Sequence, residues 1–251
     1  MSRMHINWDI YEHTDSKLRC SMVYYKMLLS PMNTKNYHDI LHQLEPHDTT
    51  LVAVSKRQPI EKLRSLYEAG HRDFGENRVQ EFLEKKPLLP TDIRWHLIGH
   101  LQTNKVKDVI GHSYLIHSVD RLKLARKLND ESDKIDCQTS ILLQIKIAEE
   151  TSKFGYDFDQ LIAELNSNEY AFDHLRIEGV MGMATFTEDK QQIRNEFSKL
   201  KSFFDRLKTD YFSDQEHFKH ISMGMSGDYT IALDEGSTMV RIGSGIFGAR
   251  T

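Results

Sequence analysis

From about residue 50 onward, short runs rich in apolar and β-branched residues alternate with longer amphipathic segments, and the alternation repeats about eight times. No other feature constrains the fold as much. A strand that hands over to a helix each time must find its next strand parallel to itself, because the helical crossover returns the chain to the same end of the sheet. The strand candidates are 51–55, 73–74 with its neighbours, 94–98, 114–117, 140–147, 175–180, 220–222 and 238–242. Between them, Ile60, Leu63, Leu66 and Tyr67 form one apolar stripe, and Ile193, Phe197, Leu200, Phe204 and Leu207 form another, at the spacing of a helix that covers a sheet. Pro59 suits the first turn of the former helix and Gly70 its C-terminal cap. Such a sheet is either open and doubly wound or closed. About eight units in roughly 200 residues, with no linker-like stretch dividing them, favour an α/β fold of the single-domain (β/α)₈ TIM barrel type.

Composition narrows the ligand. Lys and Arg number 33 against 37 Asp and Glu, so the net charge of −4 supplies no field for nucleic acid or an anionic membrane, and the expected partner is a small molecule. No segment approaches the roughly 18 uninterrupted apolar residues of a membrane span. Two cysteines, Cys20 and Cys137, suit neither a disulfide scaffold nor a zinc site, and a reducing cytoplasm is the expected location. Residues 1–31 are rich in Met, Tyr and His without periodicity and read as a peripheral extension. The barrel domain is expected to occupy 32–251, with a helix starting at Asn33 or Thr34.

In a barrel of this kind the chemistry lies on the loops after the carboxyl ends of the strands. Lys56 follows the first strand and shares a face with Val52 and Val54; a lysine amine in a low-dielectric mouth is disposed to attack an aldehyde. The last strand ends in Arg241 and runs into Gly243-Ser244-Gly245, a loop whose backbone N–H groups can approach a phosphate. This stretch matches the G-x-G-x-x-G spacing, but the chain ends at Thr251 without the βαβ continuation a dinucleotide site requires. Ser226, after the seventh strand, can cap a helix and donate to the same phosphate. It lies outside any hydrolase elbow, because position 228 is Asp and no histidine follows. His96 and His100 lack the glutamate of a metalloprotease pair, so no metal is expected. Asn77 and Gln102 read as helix starts on the same rim. An amine, a phosphate cradle and a cation around one mouth suit a phosphorylated aldehyde.

Eight stretches carry a resemblance: LVAVSK (51–56), FGENRVQE (74–81), WHLIGHLQTNK (95–105), HSVDR (117–121), KFG (153–155), EGVMGMAT (178–185), SMGMSGDY (222–229) and GSTMVRIGSGIFGAR (236–250). Together they resemble the pyridoxal phosphate homeostasis protein family, which is similar to the N-terminal barrel of alanine racemase standing alone. The resemblance implies that pyridoxal 5'-phosphate is held as a Schiff base on Lys56 and that Ser226, Gly243 and Ser244 bind its phosphate. It also implies that Arg241 faces the pyridine nitrogen and that Asn77, His96 and Met223 line the pocket. An arginine there leaves the ring nitrogen unprotonated and the cofactor a poor electron sink. The expectation is therefore a monomeric, non-catalytic carrier in intracellular pyridoxal phosphate homeostasis, handing the cofactor to apo-enzymes that use it. The alternatives are an amino-acid racemase, which needs a second acid–base group, and an aldolase-like enzyme using Lys56.

Overall fold

The computed structural model describes residues 33–149, 154–167 and 169–248. The 1–31 extension, Met32 and Lys153 of the KFG stretch lie outside the described residues.

Helix α1 (Thr34–Leu44) leads into eight strands and their crossovers. In chain order these are β1 (Thr50–Val54), α2 (Ile60–Glu68), β2 (Asp73–Glu76), α3 (Val79–Lys85), β3 (Arg94–Leu97), a 3₁₀ segment (Thr103–Asp108), β4 (Leu115–Val119), α4 (Leu122–Asp133), β5 (Thr139–Ile145), α5 (Phe158–Asn166), β6 (Leu175–Gly182), α6 (Lys190–Asp210), β7 (His220–Met225), α7 (Tyr229–Asp234), β8 (Met239–Ile242) and α8 (Ser244–Phe247). Each strand pairs in parallel with the next, and β8 closes on β1 with Thr50 opposite Met239, Val52 opposite Arg241 and Ala53 opposite Ile242. The sheet is thus the closed α/β barrel, and the open alternative is excluded.

Local chemistry starts and stops the elements where the sequence suggests. Asn33 caps α1, its side chain accepting from the Asn36 N–H, and Asp189 caps α6 by accepting from Gln191 and Gln192. Gly70 ends α2 in the left-handed region at φ +96°. Pro59 stands at the N-cap of α2, just outside its first turn. The α6 stripe buries Ile193, Phe197, Leu200, Phe203, Phe204 and Leu207. At about 1.5–3 kcal/mol per fully buried large apolar side chain, this stripe is a main reason α6 stays on the sheet.

The barrel interior is a separate compartment. Leu115, Leu142, Met181 and Met239 form a cluster apart from the larger core between sheet and helices. Strands β4 and β8 lie across the barrel from each other, so these side chains meet through its centre. Among the described residues no helix is long and apolar enough to cross a membrane, and no three His, Cys, Asp or Glu side chains are grouped to hold a metal.

Candidate functional site

Because β1 and β8 are neighbours at the closing seam, the residues that follow them share one rim. Lys56 lies half-buried in the turn just after β1. Gly243 follows β8 directly, and a Cβ built on it would stand 3.0 Å from the Val54 carbonyl oxygen and 3.3 Å from Val54 Cβ. A glycine is what lets the β8 loop close so tightly on the end of β1. Ser226 is exposed just beyond β7, and its Oγ accepts from the Gly243 N–H at 3.4 Å. Ser244 opens α8 with Gly243 as N-cap. This loop is braced from outside: Asn33 N–H donates to the Ile246 carbonyl at 3.1 Å, Asn36 donates to Gly245, and Lys62 Nζ donates to the Phe247 carbonyl at 2.8 Å. Lys56, Ser226, Gly243 and Ser244 therefore come to one end of the barrel.

Arg241 lies below that rim, within β8, and is 4% exposed. Its Nη1 donates to the Ser222 carbonyl (2.7 Å) and to Ser222 Oγ (2.6 Å), and its Nη2 donates to the Gly182 carbonyl (3.1 Å). Burial lowers its pKa to about 10, which leaves it a cation at neutral pH. A guanidinium has five donors, so two of its N–H groups make no hydrogen bond among the described residues. Asn77, after β2, has a buried Oδ1 with no partner among them. A Cβ on Gly99 would fall 2.3 Å from the Asn77 carbonyl oxygen, so this glycine sets how closely the β2 and β3 loops pack. Gly99→Ala is expected to push the Asn77 loop outward at a cost of about 1–2 kcal/mol, measured as a lowered Tm.

Two further residues of the expected set are buried. His96, 1% exposed, lies inside the barrel with both nitrogens engaged: Nδ1 is 2.9 Å from His117 Nε2, and Nε2 is 3.0 Å from Asp73 Oδ1. Met223 is fully buried in the apolar core with Ile221, Val240 and Ile242, whereas Met225, 37% exposed, is the methionine at the rim end of β7. The capping expectations also change: Arg78 is the N-cap of α3 and Asp228 that of α7, so neither Asn77 nor Ser226 caps a helix, while Gln102 does begin the 3₁₀ segment.

With this geometry in place, residues 33–251 match the family model of the alanine racemase N-terminal domain. The pyridoxal phosphate homeostasis protein of Aquifex aeolicus is 38% identical over 201 residues, which is 80% of this chain and 86% of that protein. The chain belongs to the pyridoxal phosphate homeostasis protein family. The proteins of that name from Escherichia coli strain K12 and Schizosaccharomyces pombe are 38% and 36% identical over 82% and 80% of the chain, and 87% and 84% of their own lengths. Among solved structures, PipY of Synechococcus elongatus with pyridoxal phosphate bound superposes with a TM-score of 0.77 at 34% identity, over 85% of this chain and 99% of PipY. Alanine racemase of Clostridium difficile shares the fold alone, at 15% identity and a TM-score of 0.66, over 86% of this chain and 56% of that enzyme.

This family member also has a support for the Lys56 turn that the sequence did not disclose. Lys85 of α3 is 7% exposed, and its Nζ donates to the Ser55 carbonyl (2.7 Å), to Glu76 Oε1 (2.8 Å) and to Glu81 Oε1 (2.6 Å). Ser55 Oγ donates to the same Glu76 oxygen at 2.7 Å, and the Arg57 N–H donates to Glu81. Both sides of Lys56 are thereby anchored to one buried ammonium and its carboxylates. Arg57 itself sits at φ +59°, a conformation that an L-residue adopts only where its surroundings hold it.

Proposed function

We propose that this chain binds pyridoxal 5'-phosphate through Lys56 and serves as a non-catalytic carrier in its intracellular homeostasis. The observation that carries the reading is the seam: Gly243 packs against Val54, which brings the Gly243–Ser244 loop and the Lys56 turn to the same rim above Arg241. When bound, the cofactor supplies an aldehyde that a lysine amine captures reversibly. The residues present fit it. Ser244 and Ser226 offer N–H and O–H donors to an anionic tail, with the Gly243 N–H beside them on Ser226 Oγ, the spare Arg241 donors suit an unprotonated pyridine nitrogen, and Asn77 Oδ1, without a partner among the described residues, is available to a hydroxyl. That family relatives bear the homeostasis name, and that PipY was solved with pyridoxal phosphate, supports the same reading.

An arginine opposite the ring nitrogen withholds the proton that strong carbanion chemistry needs, which favours storage and delivery to apo-enzymes over turnover. We place the binding domain at 32–251, acting as a cytoplasmic monomer, with 1–31 peripheral to it. The test is borohydride reduction followed by peptide mass spectrometry. A pyridoxyl adduct on the Lys56 peptide is expected, with none in Lys56→Ala; an adduct on another lysine, or a wild-type protein that cannot be loaded, overturns the proposal. A chain beginning at Met32 is expected to load and to melt cooperatively. Exchange of the alanine α-proton in heavy water, dependent on Lys56, would establish the racemase reading instead.

A further inference from the structure

Five charged or polar side chains from five strands run in one line across the barrel interior, His96 of β3, Asp73 of β2, His117 of β4, Ser222 of β7 and Arg241 of β8, and the exposed Arg94 of β3 meets its Asp73 end. The links are Arg94 Nε to Asp73 Oδ1 at 2.7 Å, Asp73 Oδ1 to His96 Nε2 at 3.0 Å, His96 Nδ1 to His117 Nε2 at 2.9 Å, His117 Nδ1 to Ser222 Oγ at 2.9 Å, and Ser222 Oγ to Arg241 Nη1 at 2.6 Å. Strands β4 and β7 are not neighbours, so the His117–Ser222 bond spans the barrel and ties its two halves together.

The hydrogen positions follow from the ends. A guanidinium can only donate and a carboxylate can only accept; with both rings singly protonated, the Asp73 end then requires Ser222 Oγ, which accepts from Arg241, to direct its own hydrogen at His117 Nδ1. His117 then carries its hydrogen on Nε2 and donates to His96 Nδ1, and His96 in turn donates from Nε2 to Asp73. Between Arg241 and Asp73 every donor points the same way, from the cation to the anion, and bonds aligned in this manner polarise one another; Arg94 donates to Asp73 from the other side. Charge at both ends agrees with this order. Burial alone would raise the Asp73 pKa, but hydrogen bonds from Arg94 and His96 outweigh it and hold the carboxyl well below its ordinary range. His117 is pushed far below the usual histidine value by burial, then by the fields of His96, Arg241 and His220 around it, so it enters the line neutral.

Resting on the proposed function, we infer that Asp73, His96, His117 and Ser222 are positioning residues: a one-way hydrogen-bonded line that fixes which N–H groups Arg241 presents to the pyridine nitrogen of the cofactor. Asp228 is the carboxylate whose field acts on Arg241, and the line adds a second negative pole, Asp73, at its far end. The line explains why His96 and His117 expose no nitrogen to the mouth.

The test has two arms. In the first, ¹⁵N NMR of the cofactor-free protein reads the histidine tautomers, and His96 and His117 are both expected to bear hydrogen on Nε2 and none on Nδ1. Hydrogen on His117 Nδ1 reverses the line and overturns the proposal. In the second, pyridoxal phosphate binding is titrated. His117→Leu is expected to weaken it about tenfold, near the upper end for one neutral hydrogen bond. His117→Gln, whose amide can accept from Ser222 and donate to His96, is expected to recover most of that loss at an equal Tm. Equal binding by wild type, Leu and Gln variants overturns the positioning role. A wild type with the expected tautomers that takes no cofactor refutes the function proposed for the site and with it the role of the line, while the hydrogen-bond order itself stands.

Discussion

Lys85→Met is expected to destabilise the protein by about 3–5 kcal/mol, the range for removing one partner of a buried ion pair. For a chain of this size that corresponds to a fall in Tm of roughly 10 °C or more. Glu76 is fully buried, and burial pushes its carboxyl pKa up while Lys85 and Ser55 pull it down. Its Oε2 has no partner among the described residues, so Lys85 and Ser55 carry the whole burden of compensating that charge. With the ammonium gone, Glu76 is a buried carboxylate facing the Ser55 carbonyl, and the turn bearing Lys56 loses its anchor. Loading with pyridoxal phosphate should therefore fall alongside stability. Adding Glu76→Gln to Lys85→Met removes the uncompensated charge and is expected to recover a large part of the stability but not of the loading, because the new amide cannot hold the Ser55 carbonyl as Lys85 does. Thermal melts of the single and double variants measure the coupling directly. A single-variant loss under about 1 kcal/mol would mean that water replaces the ammonium freely.

Lys85 was not legible in the sequence, and the reason is physical. A lysine on an amphipathic helix ordinarily solvates the outer face. Here Glu81, four residues earlier on α3, and a carbonyl just after β1 draw it inward, and that carbonyl is distant in sequence. The barrel itself was legible because eight strand–helix units leave few topologies, and the rim was legible because strand ends must gather there. Met223 entered by resemblance and not from its strand: period two along β7 turns Ser222 inward and sets Ile221 and Met223 in the outer core, and the irregular pairing with β8 comes only after Ser222, where β7 runs through Gly224 at φ +92°. His96 and His117 could be assigned to strands, but their partners come from β2 and β7, and period-two reasoning within one strand says nothing about what meets it across the barrel.

Acid is expected to unfold this protein at a higher pH than its carboxylates alone would require. His71, 7% exposed, donates from Nε2 to the Asp73 carbonyl at 2.8 Å and accepts at Nδ1 from the Tyr37 hydroxyl at 3.3 Å, an arrangement that suits only the neutral ring and ties α1 to the start of β2. Burial lowers its pKa from 6.5 to about 4. The sign follows from proton counting: below pH 6.5 the unfolded chain takes up a proton that the folded chain refuses until about pH 4, so acidification favours unfolding throughout that interval. At 1.36 kcal/mol per pKa unit, His71 alone contributes a loss of about 3 kcal/mol by pH 4. His117, buried in the interior line, shifts in the same direction and adds to it, as does His220. Asp73 works in a different window, since a depressed carboxyl keeps its stabilising effect until the pH falls below the ordinary carboxylate range near 3.8. Melts recorded from pH 7 to pH 4.5 should therefore show Tm falling by roughly 5–10 °C before carboxylate titration dominates. His71→Gln, which retains one donor and one acceptor but cannot titrate, should start less stable at pH 7 and show a shallower slope. A wild-type Tm unchanged over that range would require the buried rings to accept protons as readily as free histidine does, which contradicts the hydrogen bonds that hold them neutral.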